Sequence, residues 1–426
     1  MNPLAVALNK QIESSIIGRL LSDMGSRMFF PKGIVAQSSE AAKRADRFNA
    51  TVGMAYSQKK PMILDSLQRL IPSLASKEAV AYAPTAGQPV LRETWKKMLV
   101  EKNPTLKNFN LYLPIVTAGI THGVSVLIDL FANESDTVII PDMYWGNYRL
   151  MLSERRKAKI ESFPFYTESD GFNITALDTV LGRHTEKVIV MLNFPNNPTG
   201  YSPTLEEASS LTAVLKKHAD RGLNMLVILD DAYFGFFYEK EVMTESLFAP
   251  LSQAHKNILA VKADGITKED FAWGLRVGFL TYGSKNMCQE EYEVLEKKTM
   301  GAIRSSVSNI SNLSQNLMMK VYNDPKYMTE QQEHVRLLQR RYERVRAILA
   351  DKPTTTLTPL PFNSGYFMAF RIRAGLGEAL RNALLEKGIG IIAVNDDIVR
   401  ISFASVDEDQ LAKLYDDIYA TAERLS

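Results

Sequence analysis

Lys268 and Arg276 are the residues whose types and spacing first indicate chemistry in this chain. An apolar run, Ile258–Val261, precedes Lys268, and Arg276 opens a second apolar run, Val277–Thr281. Most lysines and arginines are solvated at protein surfaces, and this pair taken alone would be interpreted in that way. A turn between two buried strands, however, would point a lysine into a pocket and away from bulk water.

Two other predicted loops carry polar side chains. Asn197 lies in the turn 193–200, whose prolines and glycine let a rigid loop present its amide. Asp230 and Asp231 follow an apolar run, and Tyr233 comes three residues after Asp230. A carboxylate at the end of a buried strand requires a partner. A metal is one candidate, but adjacent strand residues face opposite ways, so the two aspartates would form a poor chelate.

Five residues follow one another along the chain in a fixed order: Asn197, Asp230 with Tyr233 three residues later, Lys268, and Arg276 eight residues after Lys268. This series resembles the class I (aspartate/aromatic-like) aminotransferases, fold-type I enzymes that use pyridoxal 5′-phosphate, and the likeness spans most of the chain. The resemblance implies an α/β fold with a mostly parallel seven-stranded sheet in a large domain and a smaller α+β domain.

The resemblance gives each of these residues a role. Lys268 matches the lysine that bonds covalently to the cofactor's aldehyde and then moves the substrate's α-proton. Asp230 matches the carboxylate that pairs with the pyridine nitrogen, and Asn197 and Tyr233 match the donors to the ring's phenolate oxygen. Arg276 matches the guanidinium that binds the phosphate. Lys268, Asp230 and Tyr233 are therefore the candidate catalytic residues.

Two more segments match cofactor contacts. Gly119, Ile120 and Thr121 join an apolar run to a helical pattern, and they match the loop whose backbone amides bind the phosphate. Trp145, in a Trp-Gly-Asn sequence, matches the residue that stacks on the cofactor ring in aspartate and aromatic aminotransferases, and we assign it to the substrate as well. Without the resemblance, Trp145 would be interpreted as a core residue.

Two features concern the substrate. Arg400 lies inside the apolar strand pattern 398–403, so it requires an anion, and it matches the family's bidentate clamp on the substrate α-carboxylate. Gly53 lies in the segment 49–55, which resembles the N-terminal segment that closes over the substrate. Asn197 is assigned a substrate contact together with Arg400 and Gly53.

Three residues are expected to act in the active site of a neighbouring subunit. Arg304 and Ser308 lie in the segment 303–309, which resembles an interface segment of the family. Arg304 matches the arginine that binds a distal substrate carboxylate, and Ser308 matches a phosphate contact. Tyr82 matches a tyrosine that reaches the partner's phosphate. The resemblance thus implies a homodimer with shared active sites.

One position departs from the family pattern. Relatives usually place a serine that binds the phosphate three residues before the cofactor lysine, and this chain has Gly265 there. Thr267 and Thr121 are the candidates to replace that contact. Lys262 competes with Lys268 for the cofactor, but its distance from Arg276 does not fit the family, so Lys268 is preferred.

The elements that must position these residues alternate between strand and helix. Seven β-rich runs are predicted strands: 111–116, 137–140, 159–163, 188–192, 225–229, 258–261 and 277–281. Helical patterns, notably 122–131 and 205–219, separate several of them. This alternation favours a mostly parallel sheet covered by helices, with ligands gathered at the strand ends.

Length and composition bound the possible classes of protein. The chain has 426 residues, and we expect an N-terminal arm and part of the small domain at 1–60, a large cofactor-binding domain at 61–325 and a small domain at 326–426. Residues 4–21 are predicted to form an amphipathic helical arm. The net charge of +2 indicates no nucleic-acid partner, and no apolar run approaches membrane-span length. The single cysteine fits a reducing compartment, so we expect a cytoplasmic protein.

The sequence therefore predicts an aminotransferase with a ping-pong mechanism. It would move an amino group from an L-amino acid, with aspartate, glutamate or an aromatic amino acid favoured, to a 2-oxo acid such as 2-oxoglutarate. One alternative keeps the cofactor but eliminates at the substrate β-carbon, as lyases do. Another is a non-catalytic ligand-sensing module built on the same fold.

Overall fold

Strands and helices alternate along most of the chain, of which a computed structural model describes residues 1–12, 26–27, 34–58 and 60–425. The strands are β1 (Phe48–Asn49), β2 (Tyr56–Ser57), β3 (Lys60–Pro61), β4 (Ile115–Thr117), β5 (Thr137–Pro141), β6 (Lys159–Phe163), β7 (Lys187–Asn193), β8 (Asn224–Asp230), β9 (Ile258–Gly265), β10 (Gly278–Gly283), β11 (Leu357–Pro359), β12 (Phe367–Ile372), β13 (Ile389–Gly390), β14 (Ile392–Ala393) and β15 (Ile398–Ser402). The helices are α1 (Pro3–Ile12), α2 (Ile34–Arg44), α3 (Asp65–Leu70), α4 (Ser76–Val80), α5 (Pro89–Lys102), α6 (Ile120–Phe131), α7 (Asn147–Arg149), α8 (Ile174–Leu181), α9 (Leu205–Asp220), α10 (Phe248–Ala254), α11 (Ile266–Glu269), α12 (Gln289–Ser306), α13 (Asn312–Tyr322), α14 (Tyr327–Ala350), α15 (Gly377–Glu386) and α16 (Leu411–Glu423).

The main sheet has seven strands in the order β4-β10-β9-β8-β7-β5-β6. Strands β5 to β9 run parallel to one another, whereas β10 is antiparallel to both of its neighbours, β4 and β9. The central strands β7 and β8 are buried from their second residue onward, as expected for parallel strands that helices cover on both faces. All seven predicted β-rich runs contribute to this sheet.

Two strand boundaries differ from the prediction by more than two residues. The first strand begins at Ile115 and not at Leu111, and the excluded stretch ends in Pro114, which has no N–H to donate to a sheet. Strand β9 continues past Val261 to Gly265, because β10 pairs with it along that length. The predicted turn before Lys268 is therefore mostly strand, and Lys268 lies on the one-turn helix α11.

A second sheet of four strands, in the order β11-β12-β15-β14, belongs to the C-terminal part of the chain. Strand β1 pairs in parallel with β13, which ties the segment around Phe48 to this part. Helix α14 contributes Leu338 to the core around the main sheet and Tyr342 to the core around the second sheet. The division of the chain at residues 60 and 325 stays a prediction.

The N-terminal arm is described only in part. Helix α1 ends at Ile12, and residues 13–21 of the predicted arm lie outside the described residues. In the part of the chain that the structure describes, no helix has both the length and the apolar character needed to cross a membrane.

Three glycines bring β9, β10 and the loop before α6 unusually close together. A Cβ atom on Gly265 would lie 2.7 Å from the Cα atom of Gly278, its partner across the strand pair. A Cβ atom on Gly278 would lie 2.7 Å from the carbonyl carbon of Gly119. Neither backbone could move aside cheaply, so side chains are excluded here. This packing places the segments that carry Lys268, Arg276 and residues 119–121 side by side.

We expect Gly265→Ser to lower the free energy of unfolding by about 1–3 kcal/mol, because its Cβ atom would overlap the backbone of β10. Denaturant unfolding measures this loss. Gly274→Ala is the matched control, because nothing lies within 4 Å of a Cβ atom at that exposed position. A serine accepted at residue 265 with unchanged stability would contradict the close-packing explanation.

Candidate active site

A cavity of about 300 Å³ lies at the carboxyl ends of the central strands, where ligands of open α/β sheets gather. Ten of the residues predicted from the sequence line it: Gly53, Ile120, Thr121, Trp145, Asn197, Asp230, Tyr233, Lys268, Arg276 and Arg400. These residues come from segments that are far apart in the sequence. The fold therefore brings most of the predicted site into one place.

Asp230 is the last residue of β8, and its carboxylate is buried. The Tyr148 hydroxyl donates to Oδ2, and the Ala232 N–H donates to Oδ1 over 3.1 Å. Burial raises the pKa of Asp230, while the bond from Tyr148 and the charge of Lys268 oppose that rise. Sequence reasoning missed Tyr148, although it lies three residues after Trp145 and its ring meets the Trp145 ring edge-on.

Asp231 points away from the cavity, as alternation along the strand predicts. Its Oδ2 atom accepts hydrogen bonds from the Ser246 hydroxyl over 2.5 Å and from the Lys262 ammonium over 2.7 Å. Among the described residues, no cluster of three or more histidine, cysteine or acidic side chains could hold a metal ion. The partner of Asp231 is thus a lysine.

The two candidate lysines are in opposite electrostatic environments. Burial lowers the pKa of Lys268 to about 8, against an opposing effect of Asp230 and with a further lowering by Arg276. Burial also acts on Lys262, but the carboxylates of Asp231 and Asp264 outweigh it and raise the pKa of that amine. Near neutral pH only Lys268 supplies an appreciable fraction of neutral amine.

The Lys268 end of the cavity offers several hydrogen-bond donors for an anion. Residues Ile120 and Thr121 begin helix α6, whose first N–H groups have no partner within the helix. Gly119 does not line the cavity, but its φ of 81° and its missing side chain let the Arg276 guanidinium approach, since a Cβ atom there would be 2.5 Å from Nη2. The hydroxyl of Thr267 is buried and has no hydrogen-bond partner.

Arg400 is buried on β15 and makes no ion pair with any described residue. Its Nη1 donates to the Asn197 side-chain oxygen and its Nη2 donates to the Thr51 carbonyl, each over 2.7 Å. The Phe367 ring lies 4.2 Å from the guanidinium carbon, and the Nε atom has no partner. Burial lowers the Arg400 pKa to about 10. A buried cation of this kind is costly until an anion binds to it.

Sequence reasoning missed several other residues that line the cavity, among them Met54, Asn193, Trp273 and Phe367. Phe367 begins strand β12 and carries no polar atom, so no local pattern marked it as a site residue. The cavity places Gly53 against Tyr233, because a Cβ atom at residue 53 would lie 3.4 Å from the tyrosine oxygen. A Cβ atom at residue 53 would therefore be in ordinary van der Waals contact with Tyr233.

Three predicted site residues do not line the cavity of their own chain. Tyr82 has 88% of its surface exposed. Arg304 is also exposed and Ser308 is half-buried, and the Arg304 guanidinium donates to the Ser308 hydroxyl over 2.6 Å. All three were assigned to a neighbouring subunit's site, so their roles stay predictions.

Comparison with known families identifies the chain. The family model "Aminotransferase class I and II" matches residues 53–418. The chain belongs to this family. The matched range includes every lining residue that was predicted for the cavity, from Gly53 to Arg400. The resemblance stated from the motifs is confirmed.

Individual relatives are more distant. The chain is 28% identical over 250 residues to a probable aspartate/prephenate aminotransferase of Aquifex aeolicus, a match that covers 58% of this chain and 57% of that protein. It is 28% identical over 253 residues to an aspartate aminotransferase of Bacillus subtilis, with 57% of each chain covered. The chain thus spans less than two thirds of these relatives' length.

Solved structures share the whole fold. An aminotransferase from Anaerococcus prevotii superposes with a TM-score of 0.83 at 23% identity, covering 94% of this chain and 99% of the other. An aspartate aminotransferase from Thermus thermophilus superposes with a TM-score of 0.74 at 19% identity. The predicted fold class, that of the fold-type I aminotransferases with a mostly parallel seven-stranded sheet, is confirmed.

We expect reductive methylation of the cofactor-free protein to distinguish the two lysines of this aminotransferase-family chain. With formaldehyde and cyanoborohydride, labelling of Lys268 should rise with pH and reach half its maximum near about pH 8, because the neutral amine reacts. Lys262 should stay unlabelled over the same range. Peptide mapping by mass spectrometry reads both sites, and exposed Lys97 controls for the reagent. Labelling of Lys268 only near pH 10 would contradict its depressed pKa.

Proposed function

We propose that this protein is a pyridoxal 5′-phosphate-dependent aminotransferase that moves an amino group from an L-amino acid to a 2-oxo acid by a ping-pong mechanism. The observation that carries the proposal is the pairing of two groups across one cavity. Lys268 supplies an amine that is partly neutral near pH 8, and Arg400 supplies a buried guanidinium that pairs with no carboxylate among the described residues. The first suits an aldehyde and the second suits a carboxylate.

The residues present fit the cofactor. Lys268 would bind its aldehyde and Asp230 would face its pyridine nitrogen. Asn197 and Tyr233 would donate to the ring oxygen, since Arg400 occupies the Asn197 oxygen and leaves the NH2 group free, and burial raises the Tyr233 pKa so that its hydroxyl keeps its proton. Trp145 would cover the ring. When bound, the cofactor supplies an electron sink for the charge that develops at the substrate α-carbon.

The phosphate would lie among the donors at the start of α6. Arg276, the N–H groups of Ile120 and Thr121, and the unpaired Thr267 hydroxyl converge at that end of the cavity. Gly265 cannot contribute a side chain there, because its Cβ atom would overlap β10. We infer that Thr267 replaces the serine that relatives usually place three residues before the lysine.

The chain's own residues would carry the proton transfers. Arg400 would bind the substrate α-carboxylate, which orients the α-carbon toward Lys268. The Lys268 amine would take the proton from the substrate α-carbon. It would later deliver this proton to the carbon of the cofactor's aldehyde group. Asp230 would hold a proton at the pyridine nitrogen, and Tyr148 would keep that carboxylate in place. Asp230, Tyr148 and Arg400 are buried and Lys268 is half-buried, which limits the access of water to these steps.

We propose aspartate, glutamate or an aromatic amino acid as the donor and 2-oxoglutarate as the acceptor. The names of the two relatives, an aspartate/prephenate and an aspartate aminotransferase, support an acidic substrate, whereas the aromatic class rests on the sequence motif. Trp145 in the cavity wall and Arg304 in the proposed interface segment favour the same classes. The cytoplasm remains the proposed compartment, on the argument from the single cysteine.

We also propose a homodimer with shared active sites. Several apolar side chains near Tyr82 and Ser308 are exposed in the single chain: Val80 at 83%, Val307 at 45% and Leu313 at 40%. They belong to or adjoin helices α4, α12 and α13, and α4 packs against α13. A second copy of the chain would cover this surface and receive Tyr82, Ser308 and Arg304.

The direct test titrates the cofactor-loaded protein with single amino acids, with and without 2-oxoglutarate. We expect oxo-acid production that requires the acceptor and that Lys268→Ala abolishes. Arg400→Lys should raise the amino-acid KM by roughly 10–100-fold, because a bidentate, charge-assisted pair is lost. Arg344→Lys, at an exposed position on α14, is the control and should leave KM unchanged.

Other outcomes would identify the alternatives. Pyruvate and ammonia formed without an acceptor would indicate a β-eliminating lyase. Cofactor binding without turnover of any amino acid would indicate a ligand-sensing module. Retention of the cofactor absorbance and of transamination by Lys268→Ala would overturn the central assignment.

Hybrid dimers test the shared site. We expect homodimers of Arg304→Ala to lose activity toward a dicarboxylic amino acid, and homodimers of Lys268→Ala to be inactive. Co-expression of the two variants should restore activity, because one site of each hybrid pairs an intact Lys268 with an intact Arg304 from its partner. Hybrids as inactive as the parent variants would contradict Arg304 acting across the interface.

A further inference from the structure

Lys262 lies at the centre of a buried ion triad that the proposed chemistry does not use. Its side chain is 1% exposed, and its ammonium is 2.7 Å from an Asp231 oxygen and 3.0 Å from an Asp264 oxygen. The ammonium also lies 4.2 Å from the centre of the Phe234 ring. Lys262 does not line the active-site cavity, so a direct contact with substrate or cofactor is not its role.

The triad joins the two strand ends that carry the central site residues. Asp231 directly follows Asp230, and Asp264 precedes Lys268 by four residues. Strands β8 and β9 pair in parallel at this point, with Asp230 opposite Ala263. Alternation therefore sends Asp230 into the cavity and Asp231 into the triad. Any change in the spacing of the two strand ends moves Asp230 relative to Lys268.

Stability alone does not account for the triad. A buried ion pair costs desolvation energy, and apolar side chains of the same volume are often as stabilising. Each carboxylate has one more partner, the Ser246 hydroxyl for Asp231 and the Trp95 N–H for Asp264, over 2.5 Å and 3.2 Å. Without the ammonium, two buried carboxylates held within reach of the same cation would repel each other.

That repulsion would act on a segment whose backbone is closely packed on both sides. Gly265 follows Asp264 and packs against the Gly278 backbone, which in turn packs against residues 119–120. A displacement of Asp264 is therefore passed to Lys268 on one side and to the proposed phosphate loop on the other.

We propose that Lys262 is a positioning residue, which holds the ends of β8 and β9 at the separation that Asp230 and Lys268 need to act on one cofactor. The inference rests on the proposed function. Lys262 compensates the charges of Asp231 and Asp264, and the geometry of the site depends on that compensation. The same two carboxylates keep Lys262 itself protonated, so the second lysine does not compete for the aldehyde.

The test compares Lys262→Met with the triple variant K262M/D231N/D264N. The first leaves two carboxylates uncompensated, and the second removes all three charges while it keeps similar volumes. Three quantities are measured: the affinity of the apoprotein for pyridoxal 5′-phosphate, the pH midpoint of the absorbance of the Lys268-bound cofactor, and the pH midpoint of Lys268 methylation without cofactor.

We expect Lys262→Met to weaken cofactor binding by roughly tenfold or more and to shift both midpoints, because small displacements of positioned groups cost up to about a hundredfold. The triple variant should recover the affinity to within a few-fold of the parent protein, because the repulsion is gone. If Lys262→Met does not fold, recovery of parental midpoints by the triple variant still supports charge compensation.

Two results would overturn the inference. One is a lowered melting temperature with unchanged midpoints and affinity in Lys262→Met, which indicates a purely structural role. The other is a triple variant as impaired as the single one, which shows that the charges do not act through repulsion. Failure of the unmodified protein to bind the cofactor would instead refute the proposed function, and the methylation midpoints would still test the positioning.

Discussion

Burial of charge at the carboxyl ends of β8 and β9 is the constraint on which the site depends. Three cations, Lys262, Lys268 and Arg400, lie in or beside the cavity at these strand ends, and different neighbours set the pKa of each. Lys262 has two carboxylates and stays charged. Lys268 has Asp230 on one side and Arg276 on the other, so burial prevails and its amine is easily neutralised. Among the described residues, Arg400 contacts two neutral oxygens and an aromatic face, so its charge is available to an anion.

These three outcomes require fixed distances, and the glycine contacts provide them. Gly265 and Gly278 let β9 and β10 approach more closely than any side chain allows, and Gly119 lets Arg276 reach the start of α6. Because the strands pack so closely, the register of β9 and β10 fixes the positions of Lys268 and Arg276. The close packing therefore explains why residue 265 is a glycine and not a serine. Thr267, two residues later, has a buried hydroxyl without a hydrogen-bond partner.

Local patterns sufficed for the features that lie within one segment. Asn197, Asp230, Lys268 and Arg276 each follow or open an apolar run, so their spacing predicted strand ends, and the fold class followed from the alternation of strand and helix. The same reasoning failed for Lys262 and Asp264, although it succeeded for Arg400, which the apolar pattern 398–403 placed correctly inside a strand. The polar side chains of Lys262 and Asp264 indicated a turn. In the structure the two side chains pair with each other and the backbone pairs with β10, so both residues belong to β9.

Contacts between distant segments left no local signal. Tyr148 reaches Asp230 across 82 positions of sequence, and Phe367 reaches Arg400 across two strands of the second sheet. A single sequence does not encode such a pair as a motif, because Tyr148 and Phe367 each have the pattern of an ordinary buried aromatic residue. The family resemblance identified the polar residues of the site. The aromatic residues that contact them, Tyr148 and Phe367, were identified only from the structure.

The choice between an acidic and an aromatic substrate depends on what lies beyond one chain. Among the described residues that line the cavity, the cations are Lys268, Arg276 and Arg400. The proposed function uses all three, for the aldehyde, the phosphate and the α-carboxylate. The remaining wall near Arg400 includes Met54 and Phe367, which offer no partner to a second carboxylate. An aromatic side chain needs no such partner, since apolar contact suffices. A dicarboxylic substrate therefore needs a cation from outside the described lining of this cavity, and we propose that Arg304 of a neighbouring subunit supplies it.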